Sequence, residues 1–277
     1  MTEELLTVVI VNYNTADFIE VSLFALANLT ENKYKVIICD NGSRYFDKRK
    51  LRRIASKYSN VELVLRKQSA RGSMGHGEAL NILIEKINTS YGVILDADAI
   101  FLKKKWDEIL IKQLDDKVKI IGCPPVKNPI KPTDFPSVYA TLFDTGIFKS
   151  LKIDMRPKSV KDAIEKGQDT GWEMREKFLK NGYKCKVLEA RNTREYKEGP
   201  FRDVLCAEYY LEGYNDIFAC HFGRGATLGA AKYKNNLLSL PVVGYFSKRA
   251  RGWKEKKRWL AICKEIIDRE GKWEGIE

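Results

Sequence analysis

The sequence is short of several things, and each shortage excludes a class of protein. No apolar run approaches the ~18 residues that a membrane-spanning helix needs, so none is expected. The six cysteines, Cys39, Cys123, Cys185, Cys206, Cys220 and Cys263, include no C-x-x-C pair. That argues against a structural zinc site and a disulfide scaffold, and the expectation is buried free thiols. Histidine is scarce, with two in the whole chain, His76 and His221. Of only eight prolines, five (124, 125, 129, 132 and 136) fall in one stretch. There is no internal repeat and no low-complexity tract, and with 44% hydrophobic and 31% charged residues a disordered tail protein is excluded. The first residues, MTEELLTVVIVNYN, carry acids where a signal peptide carries a positive segment, so a cytoplasmic location is expected.

What is present is basic charge. Forty-nine Lys and Arg stand against 37 Asp and Glu, a net +12. Such an excess favours a polyanionic partner: nucleic acid, an anionic membrane surface or a phosphorylated substrate. At 277 residues the chain allows one large domain or two small ones. Nothing resembles a linker, and a single domain with a distinct second half is expected.

The first hundred residues alternate strand and helix signals. Short apolar β-branched runs at 6–11, 36–39, 61–65 and 93–95 are separated by helical patterns at 18–29, 48–58 and 78–87. Strands apolar throughout and separated by helices predict an α/β fold, a mostly parallel central sheet with helices on both faces. After Gly122 the prolines mark a loop region. A further helix is predicted over 169–180, ending at Asn181-Gly182.

In such a sheet ligands bind beyond the carboxyl ends of the strands. Asn12, Tyr13 and Asn14 follow the first strand, and Asp40, Asn41, Gly42 and Ser43 the second. Arg66 and a glycine-containing loop, residues 71–77 with Arg71 and His76, follow the third. Asp96-Ala97-Asp98 follows the fourth. Polar residues end strands in any protein. Four successive ends, two of them acidic, point instead to a site on one rim. Two carboxylates flanking a small residue can converge on a hard divalent cation that neutralises a diphosphate.

TVVIVNYNT, VIICDNGS, RGSMGHGEALN and GVILDADAIF, in that order, resemble the first half of a family 2 glycosyltransferase. The resemblance implies a GT-A fold, a nucleoside diphosphate sugar donor, and Mn²⁺ or Mg²⁺. It implies that Asp40 reads the nucleobase with Asn12 or Asn14 nearby. Arg71 and the glycine loop would lie against the nucleotide, Asp96 would face the ribose or sugar, and Asp98 would bind the metal. The match is looser in the second half. Residues 168–173 (QDTGWE) resemble the segment that supplies the family's base, with Gln168 where an acid is usual and Asp169 as the base. An Asp opening a helix is also an ordinary N-cap. Glu173, one turn on, is the reserve candidate. His221 resembles the histidine that completes the metal shell in the family, although a buried core histidine fits its apolar neighbours too. Gly223, Arg224 and Gly225 suit a loop gripping a diphosphate. His76 reads as a surface or donor-pocket residue.

Residues 248–258 hold seven basic residues with Trp253 interleaved; Trp259, Ile262, Cys263, Ile266 and Ile267 then recur at helical spacing. This predicts a basic amphipathic C-terminal helix over 247–277, docked on the domain or lying on an anionic membrane. The implied organisation is a nucleotide-sugar-binding half (1–122), an acceptor-side and catalytic half (123–246) and that helix. The implied activity is inverting transfer of a hexose-like sugar to a glycan or lipid-linked hydroxyl, as in polysaccharide biosynthesis. A peripheral contact on the inner face of the membrane is compatible with it. The alternatives are a sugar nucleotidyltransferase, which should carry a G-x-G-T-R-like loop where NYNT stands, and a catalytically inactive nucleotide-binding relative. A nucleic-acid module is disfavoured, since Asp40, Asp96 and Asp98 on one rim would repel phosphates.

Overall fold

The structure is a computed structural model that describes residues 4–126, 129–228 and 241–271. The β1 strand (Leu6–Asn12) lies at the centre, flanked in parallel by β2 (Tyr34–Asn41) and β4 (Tyr91–Leu95). Its side chains alternate between two separate apolar clusters, Val8 and Ile10 on one face and Val9 and Val11 on the other. A strand buried on both faces must be apolar at every position. The helix α1 (Ala16–Leu29) covers the first face, and α3 (Gly72–Glu85) packs Ala79, Leu80 and Leu83 on the second.

The sheet order is β3-β2-β1-β4-β7-β6-β8, built with β3 (Val61–Arg66), β6 (Val118–Gly122), β7 (Ala140–Asp144) and β8 (Lys184–Val187). The β7 strand runs antiparallel to both neighbours, and the other pairings are parallel. A second, antiparallel sheet of order β5-β11-β10-β9 was not expected. It joins β5 (Ala99–Phe101), β9 (Glu189–Asn192), β10 (Ala207–Tyr210) and β11 (Ala219–His221). Its strands have three or four residues, too short to leave a readable alternation.

Several expected elements shift. The β3 strand is the sheet edge and is only half buried, not apolar throughout. The short helix α2 (Tyr45–Ala55) starts ahead of its predicted position. The expected glycine loop at 71–77 is instead the first two turns of α3, with Arg71 at its N-cap. Glycine is a poor helix former, which hid this. It is required here by proximity: a Cβ at Gly77 would stand 2.6 Å from the Arg156 Cα and the Met155 carbonyl oxygen.

The short helices α4 (Trp106–Ile111), α5 (Thr145–Ser150) and α6 (Val160–Glu165) connect these elements, and α7 (Glu173–Lys180) ends at Asn181 with Gly182 at φ +78°, as the sequence predicts. The C-terminal helix α8 runs Pro241–Gly271, so it begins before residue 247; residues 272–277 lie outside the described residues. Its Trp259, Ile262, Cys263, Ile266 and Ile267 are buried in the same cluster as Val8 and Ile10. Among the described residues no helix is long and apolar enough to cross a membrane. All six cysteines are free, five of them buried.

Candidate active site

The topology brings the two sheets together at one point. The chain leaves β4, turns through Asp96, Ala97 and Asp98, and enters β5 in the second sheet. The turn is tied by the Ala99 N–H donating to the Asp96 carbonyl at 2.9 Å. Because β5 pairs with β11 antiparallel and Ala99 lies opposite His221, the imidazole is delivered beside Asp98. Its Nε2 lies 3.4 Å from Asp98 Oδ1 and 3.7 Å from Asp96 Oδ2. One ligand atom from each of Asp96, Asp98 and His221 lies within 4.8 Å of the others. Two carboxylates and an imidazole converging so closely could hold a divalent cation such as Mn²⁺.

The shell around these three is specific. Asp98 Oδ2 accepts the backbone N–H groups of Arg224 (2.8 Å) and Gly225 (2.7 Å), which aims its other oxygen at the histidine. Burial works against its ionisation. The neighbouring imidazole and the two amides outweigh that and hold its carboxyl well below the usual range. Gly225 is needed there, since a Cβ would stand 2.9 Å from the Asp98 Cβ. Asp96 is pushed up to about 6, chiefly by burial, against the pull of His76 and His221. His76, on the second turn of α3, faces it with Nε2 3.4 Å from Oδ1. The Tyr139 ring stacks on His221 at 4.3 Å, and its carbonyl accepts the Asp96 N–H at 2.8 Å.

Asp96, Asp98, His221 and His76 line a cavity of about 750 Å³, and Asp169 lies on its wall. Asp169 does not open a helix: α7 starts at Glu173, with Trp172 as its N-cap, so the predicted start at 169 and the N-cap reading both fail. Its partner is Lys131, with Nζ 2.8 Å from Oδ2. Thr170 N–H and the Ser73 hydroxyl also donate to it. Burial raises the Asp169 carboxyl, but these donors, with the ammonium foremost, bring it below the ordinary value. Glu173 is spent elsewhere, accepting the Asp154 N–H and pairing with Lys177. Gln168 is not among the residues lining the cavity, and its Oε1 is buried without a hydrogen-bond partner.

Other expected residues are placed differently. Asp40 is fully buried, and its oxygens accept from Asn12 Nδ2 (2.9 Å) and the Ser43 N–H (3.2 Å). Asn12 is equally buried and bridges Asp40, Ser43 and Asp47. The expectation that Asp40 presents a carboxylate to a base is therefore revised: Asp40 and Asn12 lock the β1 and β2 ends together. Asn14, at φ 57°, accepts the Arg44 N–H and stays on the rim. Arg71 is exposed at the start of α3. The 223–225 loop grips Asp98, and the Arg224 guanidinium is buried against Glu255 (2.7 Å) and the Leu205 carbonyl (2.6 Å). That side chain is thus a strut to α8. Lys131 and Tyr139 are residues that sequence reasoning missed. No local pattern marks either; only the crossing of the loop before β7 over the cavity brings them there.

A mostly parallel sheet with an acidic turn at the end of β4, joined to a small antiparallel sheet carrying a histidine, defines a GT-A glycosyltransferase. The family model for glycosyl transferase family 2 matches residues 7–168, and the chain belongs to that family. No curated protein matches it in sequence. Among solved structures it is similar to a mannosyltransferase from Pyrobaculum calidifontis, in complex with GDP-Man and Mn²⁺. The two are 18% identical, with TM-score 0.52 over all of this chain and 77% of the other. It is also similar to glucosyl-3-phosphoglycerate synthase from Mycobacterium tuberculosis, in complex with Mn²⁺ and UDP-glucose. That match is 13% identical, with TM-score 0.47 over 66% of this chain and 68% of the other.

Proposed function

We propose that this glycosyltransferase is metal-dependent and inverting, moving a sugar from a nucleoside diphosphate sugar to a hydroxyl of a glycan or lipid-linked acceptor. The observation that carries this reading is the meeting of Asp96, Asp98 and His221 with Asp169 on one cavity. The donor set fits Mn²⁺ or Mg²⁺, with Asp98 and His221 as the ligands and Asp96 beside the ribose or sugar. When bound, such a cation supplies neutralisation of the leaving diphosphate. The first half, 1–122, takes the donor. Its nucleoside end lies against the rim at Asn14 and Arg71, with the buried Asn12–Asp40 pair fixing the strand ends beneath it.

The second half, 123–246, forms the acceptor side. Asp169 accepts the proton of the attacking hydroxyl. Its lowered pKa keeps it ionised at neutral pH, and Lys131 holds it in place. General-base assistance of this kind is worth ~10²–10⁴-fold. Lys131 also adds positive charge to a cavity meant for a diphosphate. The setting is cytoplasmic, with the acceptor taken from the inner face of a membrane in polysaccharide assembly. A catalytically inactive relative is the second reading, favoured by Gln168 in place of the usual acid.

Thermal unfolding with UDP, GDP and dTDP, each with and without Mn²⁺, tests the proposal. Stabilisation by one nucleotide only when Mn²⁺ is present supports it. Stabilisation by oligonucleotides alone contradicts it. Incubation with a panel of donors, followed by mass spectrometry of the products, separates the active reading from the inactive one.

A further inference from the structure

Two elements far apart in sequence place large aromatic side chains in solvent at the same rim. At the start of α2, Tyr45 is 70% and Phe46 80% exposed. On the first half of α8, Phe246 is 64% and Trp253 52% exposed. Arg44, next to the first pair, lines one cavity of about 770 Å³ together with Phe246, Arg249 and Trp253. That cavity shares Gly225 and Ala226 with the active-site cavity. The surrounding exposed charge is basic: Arg49, Arg52 and Arg53 on α2, and Arg249, Lys254, Lys257 and Arg258 on α8. Lys257 lays its ammonium 3.7 Å from the Trp253 ring, covering an aromatic face with a cation.

We propose that this rim, α2 and the first half of α8 together, seats on an anionic lipid surface and turns the mouth of the active site toward it. Solvent-exposed aromatics ringed by Lys and Arg match the chemistry of the lipid interface. The rings enter the headgroup boundary and the cations pair with anionic phosphates. The apolar face of the second half of α8 (Trp259, Ile262, Cys263, Ile266 and Ile267) is buried in the core and anchors the helix, so the docking surface is a face of the folded domain. The lipid-linked acceptor proposed above would then enter along the shared wall at 225–226. This last step rests on the proposed transfer, but the lipid contact itself does not.

The full chain is mixed with phosphatidylcholine vesicles, and separately with vesicles in which a third of the lipid is phosphatidylglycerol, and sedimented. No donor or acceptor is needed, so the outcome is independent of the catalytic reading, which the nucleotide experiments test. The expected result is binding to the anionic vesicles that weakens with added salt. The double variants Tyr45→Ser/Phe46→Ser and Phe246→Ser/Trp253→Ser should each lower it. Arg249→Glu/Lys257→Glu should lower it by at least about tenfold. Thermal unfolding and Mn²⁺-dependent nucleotide binding should be unchanged in all three. Equal binding to neutral and anionic vesicles would overturn the proposal. So would parental binding by the three variants, or failure to bind vesicles with binding of a single-stranded oligonucleotide through the same residues.

Discussion

Three carboxylates on one cavity have different surroundings. Asp98 has amide donors and an imidazole, Asp96 has burial and two histidines, and Asp169 has a lysine. Asp98→Ala should abolish Mn²⁺-dependent nucleotide binding while the fold survives, as read by calorimetry and circular dichroism. Asp169→Asn should leave nucleotide and metal binding intact and lower transfer by ~10²-fold or more. Lys131→Met gives a pH test. Without the ammonium, burial dominates and the Asp169 carboxyl titrates higher. The acid limb of the transfer rate should therefore move to higher pH, and an unmoved limb would remove Asp169 as the base. The acidic turn was legible in the sequence because Asp96 and Asp98 follow an apolar strand; His221 entered only through the family resemblance, and its place beside Asp98 depends on the β5–β11 pairing. Lys131 was not legible, since its role exists only across the loop-to-loop distance to Asp169.

Among the elements, the loop at 223–225 and the helix α8 act as one support for Asp98. The Arg224–Glu255 pair joins them with both side chains nearly excluded from solvent. Burial opposes ionisation of Glu255, but Arg224, the Leu205 amide and Arg251 prevail and lower its pKa from 4.5. A lowered carboxyl contributes stability above its unfolded value, and that contribution is lost as the pH falls through the folded one. Glu255→Gln should flatten this acid-side loss and, by leaving Arg224 buried without its counter-charge, cost ~3–5 kcal/mol at neutral pH in urea unfolding. Gly225→Ala should push on Asp98 and weaken Mn²⁺ binding with a smaller change in stability. Sequence reading caught the long apolar strands and the end of α7. It missed the start of α3, because glycines that exist for close packing look like a loop.

At the scale of the whole molecule, the sheet and its helices were legible because a doubly covered parallel sheet needs apolar strands, and the sequence supplies them at β1, β2 and β4. The antiparallel second sheet was not, since pairing β5 with β11 depends on a contact between residues 99 and 221 that no local window contains. The C-terminal helix had two readings, docked on the domain with a solvated basic face or lying on an anionic membrane; its Trp259 face is docked in the core. Trp259 is fully buried against Phe18, Phe201 and Phe222, while Trp253, on the same helix, is half exposed. Removing a buried indole from a packed core costs ~3–5 kcal/mol, transfer and cavity together. Removing an exposed one costs under about 1 kcal/mol. For a domain of this size, Trp259→Ala should lower Tm by roughly 10 °C and reduce transfer through unfolding. Trp253→Ala should leave Tm within a few degrees of the parent and leave transfer to a soluble acceptor intact. A scanning-calorimetry comparison of the two decides the matter. Equal Tm losses would mean that the first half of α8 is also core. No loss from Trp259→Ala would mean that the helix is not docked on α1 in solution, and the link from Glu255 through Arg224 to Asp98 would fall with it.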